Sequence, residues 1–418
     1  MFEFGRDLKR LFDGHQADQD LGWLEVVDVE VLRGEARRQT VDAGRAGCAR
    51  PVQAWLLASS LWREHARRSG AADSLQQARL TALDARKAAQ GNDERAEAVM
   101  GLAETMVLSF DLYGGPESLG RALSLIDGLE RQTARSGLKV RLGALHARVR
   151  ARQTRTQDGD GLEALAFLDR AIHDLSRRPG PSFDAVRLDR AALALLCGIE
   201  RRDARLLDQA GRDLRALVDD CPSERRPLTR ARALALCGAG LSALAALAES
   251  PEALEQGRAL FDAACDQFTA DHSPMDWAIV SLARSASEAG AACPLDAGER
   301  LVRDGLVETR TLAGLALADA KLDAAVMEAE ALGDILALDR LAARLRLRLV
   351  SDRPRPVAWA VDQIGLARIA LAKARLLDRS AGPVRLVLVE AAAAARDEGA
   401  GIIADRADQV LRRIPERV

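Results

Sequence analysis

Lysine is almost missing from this chain: Lys9, Lys87, Lys139, Lys321 and Lys373 are the only five, so nearly all the positive charge is arginine. Aromatic residues make up 3% of the sequence, with one tyrosine, Tyr113. The aromatic and β-branched residues that favour strands are scarce, which argues against a sheet protein. Neither sign of charge dominates: 60 basic and 62 acidic residues leave a net charge of -2. There is no concentrated basic stripe, so the sequence points to no nucleic-acid partner and no anionic membrane surface. The six cysteines stand singly at positions 48, 197, 221, 237, 265 and 293, without a CxxC pair. Spacing of that kind is not a disulfide framework. Long apolar runs are also lacking. The longest uncharged stretch, Ala233 to Ala248, has 16 residues, short of the ~20 that a spanning helix needs. The first residues contain no apolar signal-peptide core, so the expected location is the cytoplasm, without stable membrane insertion.

What is present is alanine and leucine, both strong helix formers, within a chain that is 48% hydrophobic. That content excludes general disorder, and 418 residues exceed what one hydrophobic core holds. Prolines 51, 116, 251, 274, 294, 356 and 383 each precede a stretch with helical apolar spacing, a position where the missing N–H costs nothing. Glycines 70, 91, 114, 137, 180 and 290 follow such stretches, as C-terminal caps do. Cutting at these marks predicts helix pairs at 51–69/72–90, 92–113/116–136, 138–155/159–177, 183–201/203–220, 224–248/251–270, 274–290/294–308, 310–333/334–350 and 355–378/383–398. A closing helix is expected over about 401–413, and no strand.

The second helices of successive pairs share a feature. Leu75-Gln-Gln-Ala, Leu119-Gly-Arg-Ala, Leu207-Asp-Gln-Ala and Leu254-Glu-Gln-Gly each place a small residue three positions after leucine, and Ala164 stands at that place in the third pair. The small residues Ala78, Ala122, Ala164, Ala210 and Gly257 are spaced 44, 42, 46 and 47 residues apart. Long helices approach closely only where a side chain is small, so one such position per unit is what stacking requires. Several first helices open alike: Pro51-Val-Gln-Ala-Trp55, Pro274-Met-Asp-Trp277 and Pro356-Val-Ala-Trp359, with rings placed to fill gaps between units. In the small residues of the second helices, the helix–turn–helix unit and the segments Phe268 to Ala278 and Pro356 to Ala367, the chain resembles the tetratricopeptide repeats, in their longer-unit form. The resemblance implies an all-α solenoid of about eight antiparallel helix pairs over residues 49–400. It also implies that the first helices line a concave, partner-binding face.

Motifs that carry chemistry are missing or incomplete. Asp219-Asp220 with Glu224 is interrupted by Pro222 and has no matching acidic cluster, and Asp158-Gly-Asp-Gly161 lacks the acids of a calcium loop, Thr156 and Phe167 standing in their places. Asp160 reads better as a helix N-cap. The histidines (15, 65, 146, 173 and 272) form no HExxH, and there is no phosphate loop or GxSxG elbow. Cys197 and Cys237 lie in apolar helical runs, which points to burial. No catalytic, cofactor or metal residue is expected.

The expected function is non-catalytic: a scaffold or adaptor holding a protein or peptide partner on an open concave groove. The rival expectation is a regulatory sensor whose solenoid closes around a small molecule or signalling peptide. The candidate groove residues are Arg148, Arg152, Arg187 and Asp189, on the polar faces of two first helices, where arginine suits carboxylate ligands. Residues 1–48 are read as an N-terminal cap, with weak surface anchoring through residues 2–12 as the alternative; residues 401–418 cap the other end.

Overall fold

The fold is described from a computed structural model. It covers residues 21–113, 116–154, 160–177, 180–248, 250–289, 322–323, 325–351, 356–380, 383–397, 401–412 and 414. The described residues contain helices and no strand, packed in chain order. The chain divides into two compact units, unit 1 being Met1–Thr311 and unit 2 Leu312–Val418.

Unit 1 opens with a 3-10 turn, Gly22–Val26, and helix α1, Val29–Ala43. Asp28 caps α1, its carboxylate accepting from the backbone N–H of Glu30 at 2.8 Å and Val31 at 3.2 Å. Five hairpins follow. They are α2 (Pro51–Ser69) with α3 (Ala72–Ala88), and α4 (Asn92–Tyr113) with α5 (Pro116–Ile126) and the one-turn α6 (Leu129–Gln132). Next come α7 (Ser136–Gln153) with α8 (Gly161–Leu175), α9 (Pro181–Arg201) with α10 (Ala204–Asp220), and α11 (Pro227–Ala248) with α12 (Pro251–Gln267). Helix α13 (Pro274–Ala289) follows them. Two prolines beyond those marked in the sequence, Pro181 and Pro227, also open helices, which moves the starts of α9 and α11 from the expected 183 and 224. Asp160 does cap α8, accepting from Leu162 N–H at 2.9 Å.

The small positions of the second helices lie at the crossings. Ala78, Ala122 and Ala210 have no exposed surface, Ala164 is buried, and the Ser59 hydroxyl donates to the Ala78 carbonyl at 2.9 Å. The tightest crossing joins α11 and α12: a Cβ on Gly257 would stand 3.0 Å from the Gly238 carbonyl oxygen, and one on Gly238 would stand 3.0 Å from that of Gly257. Two backbones this close leave no room for a methyl group. The tryptophans behave less uniformly. Trp359 packs against a buried cluster and Trp55 is half-buried, whereas Trp277 is 37% exposed.

The segment 21–43 folds onto the first hairpin. Leu24, Val27, Leu32 and Ala36 share a core with Leu61, Trp62 and Ala78, and burying each leucine contributes roughly 1.5–3 kcal/mol. The anchoring reading of residues 2–12 lies outside the described residues.

Unit 2 follows the same packing rule. Helical residues 325–331 pack with α14 (Ile335–Ser351), and α15 (Pro356–Leu377) pairs with α16 (Val384–Asp397), closed by α17 (Gly401–Arg412). One core joins Val326, Leu338, Leu345 and Ile369; another joins Ile364, Leu388, Ala392 and Ala407.

Candidate functional site

The first helices of unit 1 (α2, α4, α7, α9, α11 and α13) form an inner row, each packing against the next. The row then meets itself: α13 packs against α2, and the 3-10 turn packs against α11. The concave side of unit 1 is therefore not a groove open along its length. It is a cavity of about 390 Å³ walled by all six inner helices and the 3-10 turn.

Each junction between consecutive inner helices carries an arginine–carboxylate pair. Arg63 on α2 holds Glu104 on α4 at 2.7 Å. Arg152 on α7 grips both oxygens of Asp111 on α4, at 2.7 and 2.9 Å. Asp189 on α9 accepts from Arg148 Nε and Arg152 Nη1, both at 2.7 Å. Arg226, the residue before α11, reaches Asp184 on α9 at 2.8 Å. Arg232 on α11 donates to Asp276 on α13 at 3.0 Å. The last rung closes the circle: Arg67 on α2 donates to the same Asp276 at 2.9 Å, across 209 residues.

The 3-10 turn seals the junction from inside. Glu25 accepts from Arg226 Nε at 2.9 Å and from Thr229 N–H at 2.8 Å, with the Thr229 hydroxyl also donating to it. Thr229 lies in the first turn of α11, where unpaired N–H groups and the helix dipole favour a carboxylate. His272 Nε2 donates to the Glu25 carbonyl at 2.7 Å. Arg68, fully buried, donates to the carbonyls of Val27 at 2.6 Å and Leu24.

Asp189, Glu64, Arg152 and Arg67 hold their charges firmly. Burial works against the carboxylate of Asp189, but Arg152 and Arg148 outweigh it and bring its pKa down to about 2. Glu64, which pairs with Arg67 and Arg68, is likewise held below the carboxylate range against the cost of burial. Burial also opposes the charges of Arg152 and Arg67, yet their acidic partners raise both above the ordinary arginine range. At these four groups the charge is thus fixed, whereas burial raises the pKa of Asp184 against the pull of Arg226 and Arg187. Burial raises the thiols of Cys197 and, to about 11, Cys237, which lowers their reactivity; Cys197 is buried and Cys237 half-buried. Among the described residues no group of three or more His, Cys, Asp or Glu is arranged to hold a metal, and no helix is long and apolar enough to cross a membrane.

Of the four candidate residues, the structure brings Arg148, Arg152 and Asp189 together in the cavity wall. Arg187 is not with them: it donates to Asp220 at 2.8 Å and lies over the Phe183 ring, 5.3 Å from its centre. Arg63, Arg67, Glu104, Asp111, Arg226, Arg232, Asp276 and Glu25 were not singled out by the sequence. A signal for several of them was present: Arg63/Glu104, Asp111/Arg152 and Arg148/Asp189 are each 41 residues apart, Asp184/Arg226 are 42 apart and Arg232/Asp276 are 44 apart. Those offsets are about one repeat unit. No offset announces Glu25 or the closing Arg67–Asp276 pair.

No protein-family model matches the sequence, and no curated protein matches it. Among solved structures the chain is similar to a monomeric mutant of IFIT1 with m7Gppp-AAAA. The TM-score is 0.42 at 13% identity, covering 93% of this chain and 76% of that one. At that distance the ligand of IFIT1 has no bearing on this chain.

Proposed function

We propose that unit 1 is a ligand-binding module: its inner helices hold a small molecule, or the tip of a peptide, inside the cavity, without catalysis. The observation that carries this reading is the unbroken circle of ion pairs from Arg63–Glu104 round to Arg67–Asp276, which leaves a walled space instead of an open groove. Its size, about 390 Å³, falls within the roughly 300–1,000 Å³ of small-molecule pockets. The lining mixes apolar side chains such as Val107, Leu188 and Ile279 with fixed polar groups, the usual division between affinity and orientation. A ligand that touches several inner helices at once ties together elements far apart in sequence, which is how a regulatory sensor couples binding to conformation.

The adaptor reading keeps one specific support, in unit 2. Met327, Leu332, Leu336 and Leu347 are large apolar side chains exposed to solvent there, a surface suited to a protein partner.

The two readings separate in one experiment. Small molecules from a metabolite and short-peptide library are screened for a rise in melting temperature of the full chain, beside the variant Ala192→Trp. Ala192 lines the cavity and is half-buried, so the indole fills ligand space. A ligand at 100 times its Kd stabilises by about 2.7 kcal/mol, and that shift is expected for the parent chain and not for the variant. A shift that survives in Ala192→Trp would place binding elsewhere and remove the case for the cavity.

A further inference from the structure

We infer that the cavity selects an amphipathic organic anion: an apolar body ending in a carboxylate or an equivalent acidic head. This rests on the ligand-binding reading of unit 1 and names the chemistry of its ligand.

The inference comes from the hydrogen-bonding capacity left over in the wall. Six arginines and six carboxylates line the cavity, so its formal charge balances and net charge selects nothing. The two sets are unequally occupied. Both oxygens of Asp111 accept from Arg152, both of Asp189 accept from arginine, and Glu25 and Glu64 each accept at both oxygens. Asp276 accepts from Arg67, Arg232 and the Ser273 hydroxyl, while Glu104 keeps Oε1 to spare, its pair with Arg63 running through Oε2. The arginines keep more. Arg148 donates through Nε to Asp189, and both its terminal nitrogens are without a partner among the described residues. Arg232 donates through Nη2 to Asp276, while its Nε is buried and makes no hydrogen bond. That Nε has no surface open to the cavity; the donor that Arg232 offers there is Nη1, which has no partner among the described residues.

The wall thus offers guanidinium N–H groups and asks for acceptors. A guanidinium bonds an anionic oxygen about twice as strongly as a neutral one, and its planar fork matches a carboxylate. Between these groups the surface is apolar, with Val107, Leu108, Leu188, Ile279 and Val280. An inorganic ion would leave those side chains uncovered; a hydrocarbon would leave the donors unmet. A molecule with both parts meets both.

Arg148 and Arg232 suit substitution because each carboxylate they touch has another arginine: Asp189 keeps Arg152, and Asp276 keeps Arg67. Neither change strands a buried charge.

Isothermal titration of the full chain with decanoate, decanamide and decyltrimethylammonium tests the assignment. Decanoate is expected to bind at least about tenfold more tightly than decanamide, the cation not at all, and the preference is expected to vanish in Arg148→Gln/Arg232→Gln. Arg187→Gln, outside the cavity, is expected to behave like the parent, and Ala192→Trp to bind none of the probes. Equal binding of decanoate and decanamide, blocked by Ala192→Trp, would overturn the anion assignment and leave the ligand-binding reading intact. Decanoate binding that Ala192→Trp leaves unchanged, or no decanoate binding to the folded chain, would also overturn it.

Discussion

The inner and outer helices of unit 1 are built from similar residues and packed by different means. Outer helix α10 buries four of its 17 residues, Leu207, Ala210, Leu214 and Leu217, all on one stripe. Inner helix α4 buries fourteen of its 22, and among them are Glu97 and Asp111. An outer helix has water on one side, so an apolar stripe with a small residue at the crossing suffices. An inner helix is covered by its own hairpin partner, by both neighbours and by the cavity wall. Several of its charged side chains, such as Asp111, are buried there and are paired across the repeat. Outer helices are therefore held mainly by shape and apolar area, and inner helices by directed charge as well.

The largest effects should come from breaking an inner pair. Asp111 bonds only Arg152 among the described residues, so Arg152→Met leaves it buried without a counter-charge. The expected loss is about 3–5 kcal/mol in urea unfolding, the range for a buried pair deprived of one partner. A loss below about 1 kcal/mol would mean that water reaches this junction, and the contrast between the two rows would fail there.

A second buried polar group makes stability depend on pH. Burial lowers the pKa of His65 to about 4, helped by the nearby charges of Arg33 and Arg68, and its Nδ1 lies 2.8 Å from the Ser74 hydroxyl. In the unfolded chain the ordinary value is about 6.5. Between those two values the unfolded state takes up a proton that the folded state refuses, so stability falls as pH falls. The slope is up to about 1.4 kcal/mol per pH unit. His65→Gln should flatten this part of a pH–stability curve; an unchanged slope would assign it to other groups.

Two glycines on outer helices sharpen the comparison from the packing side. Gly257→Ala places a methyl 3.0 Å from the Gly238 carbonyl oxygen and should cost about 1–3 kcal/mol. Gly211, on α10, has nothing within 4 Å of its added Cβ, and Gly211→Ala should gain about 0.5–1 kcal/mol from helix propensity. Melting temperatures moving in the same direction would contradict the crossing geometry. The smallest effect belongs to the exposed outer pair Lys87–Asp84: Lys87→Ala should change stability by less than about 0.5 kcal/mol.

The same division explains what could be read from the sequence. Helix pairs, their order and the small crossing residues were legible because they depend on local periodicity and on one conspicuous position per unit, such as Ala78 or Gly257. The starts of α9 and α11 were misplaced by a few residues because Pro181 follows Pro179-Gly180 and Pro227 follows the polar run Ser223 to Arg226, where several residues could open the helix. At the site, Arg148, Arg152 and Asp189 stood out as charges on inner helices. Their partners are about one repeat away, and only the fold aligns them. The circle itself had no local signature: Arg67 and Asp276 meet because small turns between hairpins accumulate, and Glu25 reaches Thr229 across 204 residues.

Closure of unit 1 on itself is the feature on which the cavity depends, and a double-mutant cycle on Arg67→Gln and Asp276→Asn measures it directly. If α13 meets α2 in solution, the two changes should be coupled by more than about 1 kcal/mol, since each removes the same contact. Additive effects, within about 0.5 kcal/mol, would mean that the inner row does not close and that no walled cavity exists.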